Sequence, residues 1–109
     1  MLSEGDLVRL LCLSGHYRGF PHLLDCVNLA VENVDRLDPV AKKLYPLVAE
    51  RHGTTVGRVI CSIRNLIKVW WKRGNRRLLP DYISDSDKPP GNKAFIYALV
   101  AYLQRKQNK

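Results

Sequence analysis

The side chains with the most evident chemistry are cations: Arg58, Arg64, Lys68, Lys72 and Arg73, accompanied by the amide of Asn65. From Arg51 to Arg77 the chain holds eight Lys or Arg residues and no Asp or Glu. Lys and Arg that neutralise phosphates release condensed counterions, so such a surface is suited to a nucleic acid. The imbalance is local. Residues 1–38 carry three basic and six acidic side chains, a net −3, and residues 39–109 carry fifteen and four, a net +11, which together give the +8 of the whole chain. A merely solvated surface more often intersperses the two signs.

Other reactive residues offer less. Cys12-x3-His16 and His22-x3-Cys26 are helical i, i+4 pairs with the right atoms for zinc. Cys12 and Cys26 nevertheless fall among apolar helix positions, where free cysteine is a common small core residue, so no metal and no cofactor is expected. Cys61 falls on the basic stretch, where neighbouring charge would favour a thiolate, but a redox role has no further support. There is no Gly-rich phosphate loop, no acid and base at suggestive spacing, and no nucleophile with an evident histidine partner; an enzyme is not expected. His52 precedes Gly53 at a helix end, where its imidazole suits the dipole. Asp25, Glu32, Asp35 and Asp38 read as a solvated acidic face, and Trp70 and Trp71 read as core under the last helix.

Six helices, or about that number, must position these groups. Ser3 with Asp6 forms a capping-box pattern ahead of Leu7, Leu10 and Leu11. Pro21 opens a second helix whose Leu23, Leu24, Val27, Ala30, Val31 and Val34 recur at helical spacing. Asp38 before Pro39 can cap a third, with Val40, Leu44, Leu47 and Val48 inward, which Pro46 must either kink or restart; it ends at Gly53. Thr54 or Thr55 can cap a fourth, the longest. Val59, Ile63, Leu66, Ile67 and Trp70 form its buried stripe, with Gly57, Cys61, Arg64, Asn65, Lys68 and Lys72 opposite. Gly74-Asn75 stops that helix, a short helical turn fits 78–83, and 84–91 reads as loop. Asn92 can cap a last helix with Phe95, Ile96, Leu99, Val100 and Leu103 inward. Strand signals are absent. The expected fold is all-α, one domain over 1–109, with a helix-turn-helix at about 40–74 and no wing.

Several segments also match one family in order and spacing over nearly the whole chain. They are Gly15-His16-Tyr17-Arg18-Gly19-Phe20, Leu44-Tyr45-Pro46, Thr54-Thr55-Val56-Gly57-Arg58-Val59, Trp71-Lys72-Arg73-Gly74-Asn75, and Lys88-Pro89 shortly before Phe95-Ile96. Together they resemble the C-terminal DNA-binding effector domain of the sporulation master response regulator, stage 0 sporulation protein A. The resemblance implies that the third and fourth helices form the helix-turn-helix, that the fourth lies in the major groove, and that the segment after it helps to meet RNA polymerase sigma factor. Where that family usually has Glu-Arg, this chain has Ile60-Cys61. Apolar groups there can at most touch a thymine methyl or pack on another protein, so the family's operator is not carried over. With the first helix so near Met1, the family's receiver domain is not expected in this sequence, which is then either the effector part alone or a stand-alone effector controlled in another way.

The sequence therefore predicts a cytoplasmic bacterial transcription regulator that binds duplex DNA through Thr55, Gly57, Arg58, Ile60, Cys61, Arg64, Asn65, Lys68, Lys72 and Arg73. Sigma factor and a second copy on DNA are the further partners expected; a small-molecule substrate and a membrane are not. The rival reading is a protein-interaction module in which Ile60, Cys61 and Leu66 form an exposed apolar patch.

Overall fold

The computed structural model describes residues 3–11, 13, 17–73 and 89–107. Within them, α1 is Glu4–Leu11, α2 Gly19–Glu32, α3 Val40–Lys43, α4 Tyr45–Arg51, α5 Val56–Arg73 and α6 Asn92–Gln107, with a 3-10 turn at Val34–Leu37. No described residue is in a strand, so the all-α class holds. Five of these helices have seven or more residues; α3 is a single turn of four. The expected helix stop at 74–75 and the short turn at 78–83 lie outside the described residues.

Local chemistry sets most boundaries. At α1 the capping box closes both ways: Asp6 N–H donates to Ser3 Oγ at 3.2 Å and Ser3 N–H to Asp6 Oδ2 at 3.3 Å. Donation to the Asp6 carboxylate, by the Ser3 hydroxyl first and the Ser3 N–H next, holds that carboxyl below its ordinary range. α2 starts two residues before Pro21 and stops at Glu32, because Asn33 turns the chain: its Oδ1 accepts from Asp35 N–H at 3.1 Å. Val34 consequently leaves the helix and stands exposed instead of completing the apolar stripe.

The expected third helix divides at Leu44. Pro46 sits in the first turn of α4, where its missing N–H costs nothing, and so it restarts the helix. Leu44 and Val48 are buried as expected, but Leu47 is exposed, since restarting at Tyr45 turns Tyr45 and Ala49 inward instead. Asp38 stands one residue outside Pro39, whose carbonyl accepts from Lys42 and Lys43, and its carboxylate lies 3.8 Å from Lys93 Nζ.

α2 and α5 run through the centre and α6 closes over both. Their contact is close at Gly19: a Cβ there would meet the Ser62 carbonyl oxygen at 2.5 Å and Leu66 Cβ at 2.8 Å. The core stripe of α5, Val59, Ile63, Leu66, Ile67 and Trp70, is wholly buried. Trp70 meets Phe95 of α6 edge-on, with ring centroids 4.8 Å apart. Trp71 is only half-buried, because one residue along the helix turns it ~100° from Trp70 toward the rim.

Candidate nucleic-acid interface

α5 is positioned from its N-terminus. α4 ends with Gly53 at φ 60°, and around it Thr54 N–H donates to Ala49 O at 2.9 Å and Gly53 N–H to Glu50 O at 3.2 Å. This left-handed helix cap reverses the chain within a few residues. Thr55, not Thr54, then caps α5: its Oγ1 accepts from Arg58 N–H at 3.2 Å, and its carbonyl accepts from Val59 N–H at 3.1 Å. The turn therefore fixes both the start and the rotation of α5.

Given that rotation, the wheel places Arg58, Arg64, Lys68 and Lys72 on the side opposite the buried stripe, and all four are exposed. Gly57, Cys61 and Asn65 share that side and are exposed too. Two expected members stand apart. Arg73 is exposed, but lies ~100° beyond Lys72, next to the row of Leu66 and Trp70. Ile60 is half-buried and packs on the core, its carbonyl accepting from Asn92 Nδ2 at 2.9 Å. That bond corrects the expectation for Asn92 as a cap: its amide is drawn across 32 residues to α5, and the Gly91 carbonyl accepts from Phe95 N–H instead.

Leu66 is 1% exposed. It cannot join Ile60 and Cys61 in an apolar surface patch, so the face is dominated by its cations.

Behind the turn, a polar junction joins α2, α4 and α5 that sequence reasoning missed. His52 Nε2 lies 2.6 Å from Asp25 Oδ2, Arg51 Nη1 4.0 Å from Asp25 Oδ1, and the His22 and His52 rings meet edge-on at 4.9 Å. Asp25 is thus a partner of α4 and not simply part of a solvated acidic face. His22 Nδ1 lies 2.5 Å from Ser62 Oγ, which itself donates to Val59 O at 3.0 Å. With its proton committed to that carbonyl, Ser62 accepts from His22 Nδ1–H, so the pair is a structural strut and not a nucleophile with its base. Burial first, then the charge of His52, lowers the His22 pKa below its ordinary value, and Asp25 opposes them. The signal that could have found the junction, polar residues on inward-turning helix positions, is visible only once the helices are docked.

Cys26 is buried and its thiol pushed up to about 12, mainly by burial and further by Asp25, which suits a core residue and not a thiolate ligand. Cys12 and His16 lie outside the described residues. Among the described residues no three His, Cys, Asp or Glu side chains converge on a metal site, and no helix is long and apolar enough to cross a membrane.

Helical packing of the described residues, with a cationic face on the longest helix, defines the class: an all-α domain with one basic helix presented at its surface. The chain belongs to the family described as sporulation initiation factor Spo0A C terminal, whose model matches residues 5–103. This is a family of DNA-binding transcription regulation in sporulation, the effector part of a response regulator, and it is not known as enzymatic.

Proposed function

We propose that α4, the turn at 52–55 and α5 act as a helix-turn-helix, within about 40–74, that lays α5 into the major groove of duplex DNA and thereby regulates transcription in the cytoplasm. One observation carries this: Arg58, Arg64, Lys68 and Lys72 are exposed on one side of α5, while the other side is buried core. A rigid helix so divided presents cations at turn-by-turn intervals to a groove, which is how such motifs meet bases and phosphates. Thr55 and Gly57 stand at the entry of the helix, where a small profile lets the backbone approach DNA. Asn65 supplies an amide to base edges and Cys61 an apolar contact, with Ile60, half-buried against the core, at most at the margin of it. Arg73, turned away, meets backbone phosphate at most.

The protein-interaction alternative is weakened by the burial of Leu66 and the half-burial of Ile60. Contact with RNA polymerase sigma factor and pairing of two copies on DNA belong to the same proposal and rest on family membership alone.

The test contrasts Arg64→Ala with Lys72→Ala on duplexes selected from a random pool. Arg64 stands mid-helix, where a bidentate contact to guanine is available, so its loss should weaken a preferred site by ~1–3 kcal/mol and flatten sequence preference. Lys72 lies two turns on, where phosphate is the natural partner; its loss should weaken all duplexes alike and lower the salt slope by about one unit. Absence of salt-dependent binding in the wild type would overturn the proposal.

A further inference from the structure

A cleft of about 400 Å³ lies between α5 and the segment leading into α6, at the edge of the cationic face; it shares Arg64 and Lys68 with the DNA reading, which leaves its interior unassigned. That size is at the low end of small-molecule pockets, ~300–1,000 Å³. Buried Ile67 and Tyr45, with half-buried Ile60 and Pro90, form its floor; exposed Arg64 and Lys68 stand at its rim. Its walls are tied together by Asn92, whose amide donates to the Ile60 carbonyl at 2.9 Å. Among the described residues no acidic side chain lines it.

These features select a ligand. A bare phosphate would match the two cations and waste the apolar floor, and a neutral apolar molecule would leave both cations unanswered. A flat apolar body joined to a carboxylate meets both demands, since charge-assisted hydrogen bonds to Arg are strong and geometrically specific. We propose that this cleft binds a small aromatic carboxylate, and that the bound ligand withdraws Arg64 and Lys68 from DNA phosphate. The second half rests on the DNA-binding reading above.

The experiment titrates the ¹⁵N-labelled full chain with indole-3-acetate, with acetate and tryptamine as controls for charge alone and for an apolar body of opposite charge. Saturable amide shifts centred on Ile60, Ile67 and Asn92 are expected with indole-3-acetate, at an affinity at least about ten-fold above either control. Gly91→Leu supplies a block that leaves α5 untouched. A Cβ at Gly91 meets nothing within 4 Å, and the Gly91 carbonyl, which accepts from Phe95 N–H at 3.0 Å, is kept. That variant should lose indole-3-acetate binding at least about ten-fold while keeping its melting temperature and duplex affinity.

Acetate matching indole-3-acetate would reduce the site to two surface cations, and tryptamine matching it would remove the role of charge; either overturns the assignment. So would shifts centred elsewhere in the wild type, a reading that stands even if Gly91→Leu folds poorly. The competitive half is tested separately: saturating indole-3-acetate should weaken duplex binding at least about three-fold, and an unchanged affinity overturns it. A chain that binds indole-3-acetate in the cleft but binds no duplex at all would refute the DNA reading and leave the cleft assignment standing.

Discussion

Trp70 and Trp71 differ by one position and by most of their environment. Trp70 is fully buried against Phe95, and its indole N–H has no hydrogen-bond partner among the described residues. Trp70→Ala should cost ~3–5 kcal/mol in a urea unfolding titration. Trp70→Phe should cost much less, because it keeps an edge-to-face ring and removes a buried donor left unpaired. Equal losses for the two variants would show that the indole N–H is satisfied. Trp71→Ala should fall below both, its ring being only half-buried, in contrast to the full core role that its neighbours in sequence suggested.

Among the elements, the α4–α5 turn and the α2–α5 contact depend on two glycines for different reasons. Gly53 adopts φ 60° with open space around it, so Gly53→Ala meets no clash but must hold a left-handed backbone, at ~1–2 kcal/mol. Gly19 lacks room: a methyl there would press on the Ser62 carbonyl and Leu66, both fixed by α5. Gly19→Ala should therefore cost ~1–3 kcal/mol by overpacking, and it should also weaken duplex binding if the DNA reading holds, because α5 must shift to accept it. Thermal melts paired with fluorescence anisotropy separate the two variants: Gly53→Ala should lower stability with little change in affinity per folded molecule.

For the whole molecule, the junction of His22, His52, Asp25 and Ser62 couples stability to pH. The His22 pKa is lowered in the folded state, so the unfolded chain binds the proton more readily. The stability it contributes is complete above the unfolded value, ~6.5, and is lost as pH falls from there toward the folded value. Denaturation midpoints measured from pH 7.5 down to 5 should decline more steeply for the wild type than for His22→Asn, which keeps an N–H for Ser62 and cannot titrate. Parallel curves for the two proteins would show that His22 does not carry the pH dependence.

The helical class, the buried stripe of α5 and the cationic side opposite it were all legible in the chain, because a 3.6-residue period and a run of like charge are properties of one segment and survive any docking. The capping box of α1 and the stop at Gly53 were legible for the same reason: their partners lie within five residues. The family was legible through short motifs in a fixed order. What the tertiary structure alone decided are the long-range polar choices. Asn92 turned from capping its own helix to bind Ile60, His52 found Asp25 on α2, His22 found Ser62 on α5, and Ile60 and Leu66 were taken out of a surface patch into a cleft wall and the core. Each depends on groups 27 to 40 residues apart or on how one helix is pressed against another. No period in the sequence encodes such pairings, since they are fixed only when the helices pack and buried polar atoms must find partners.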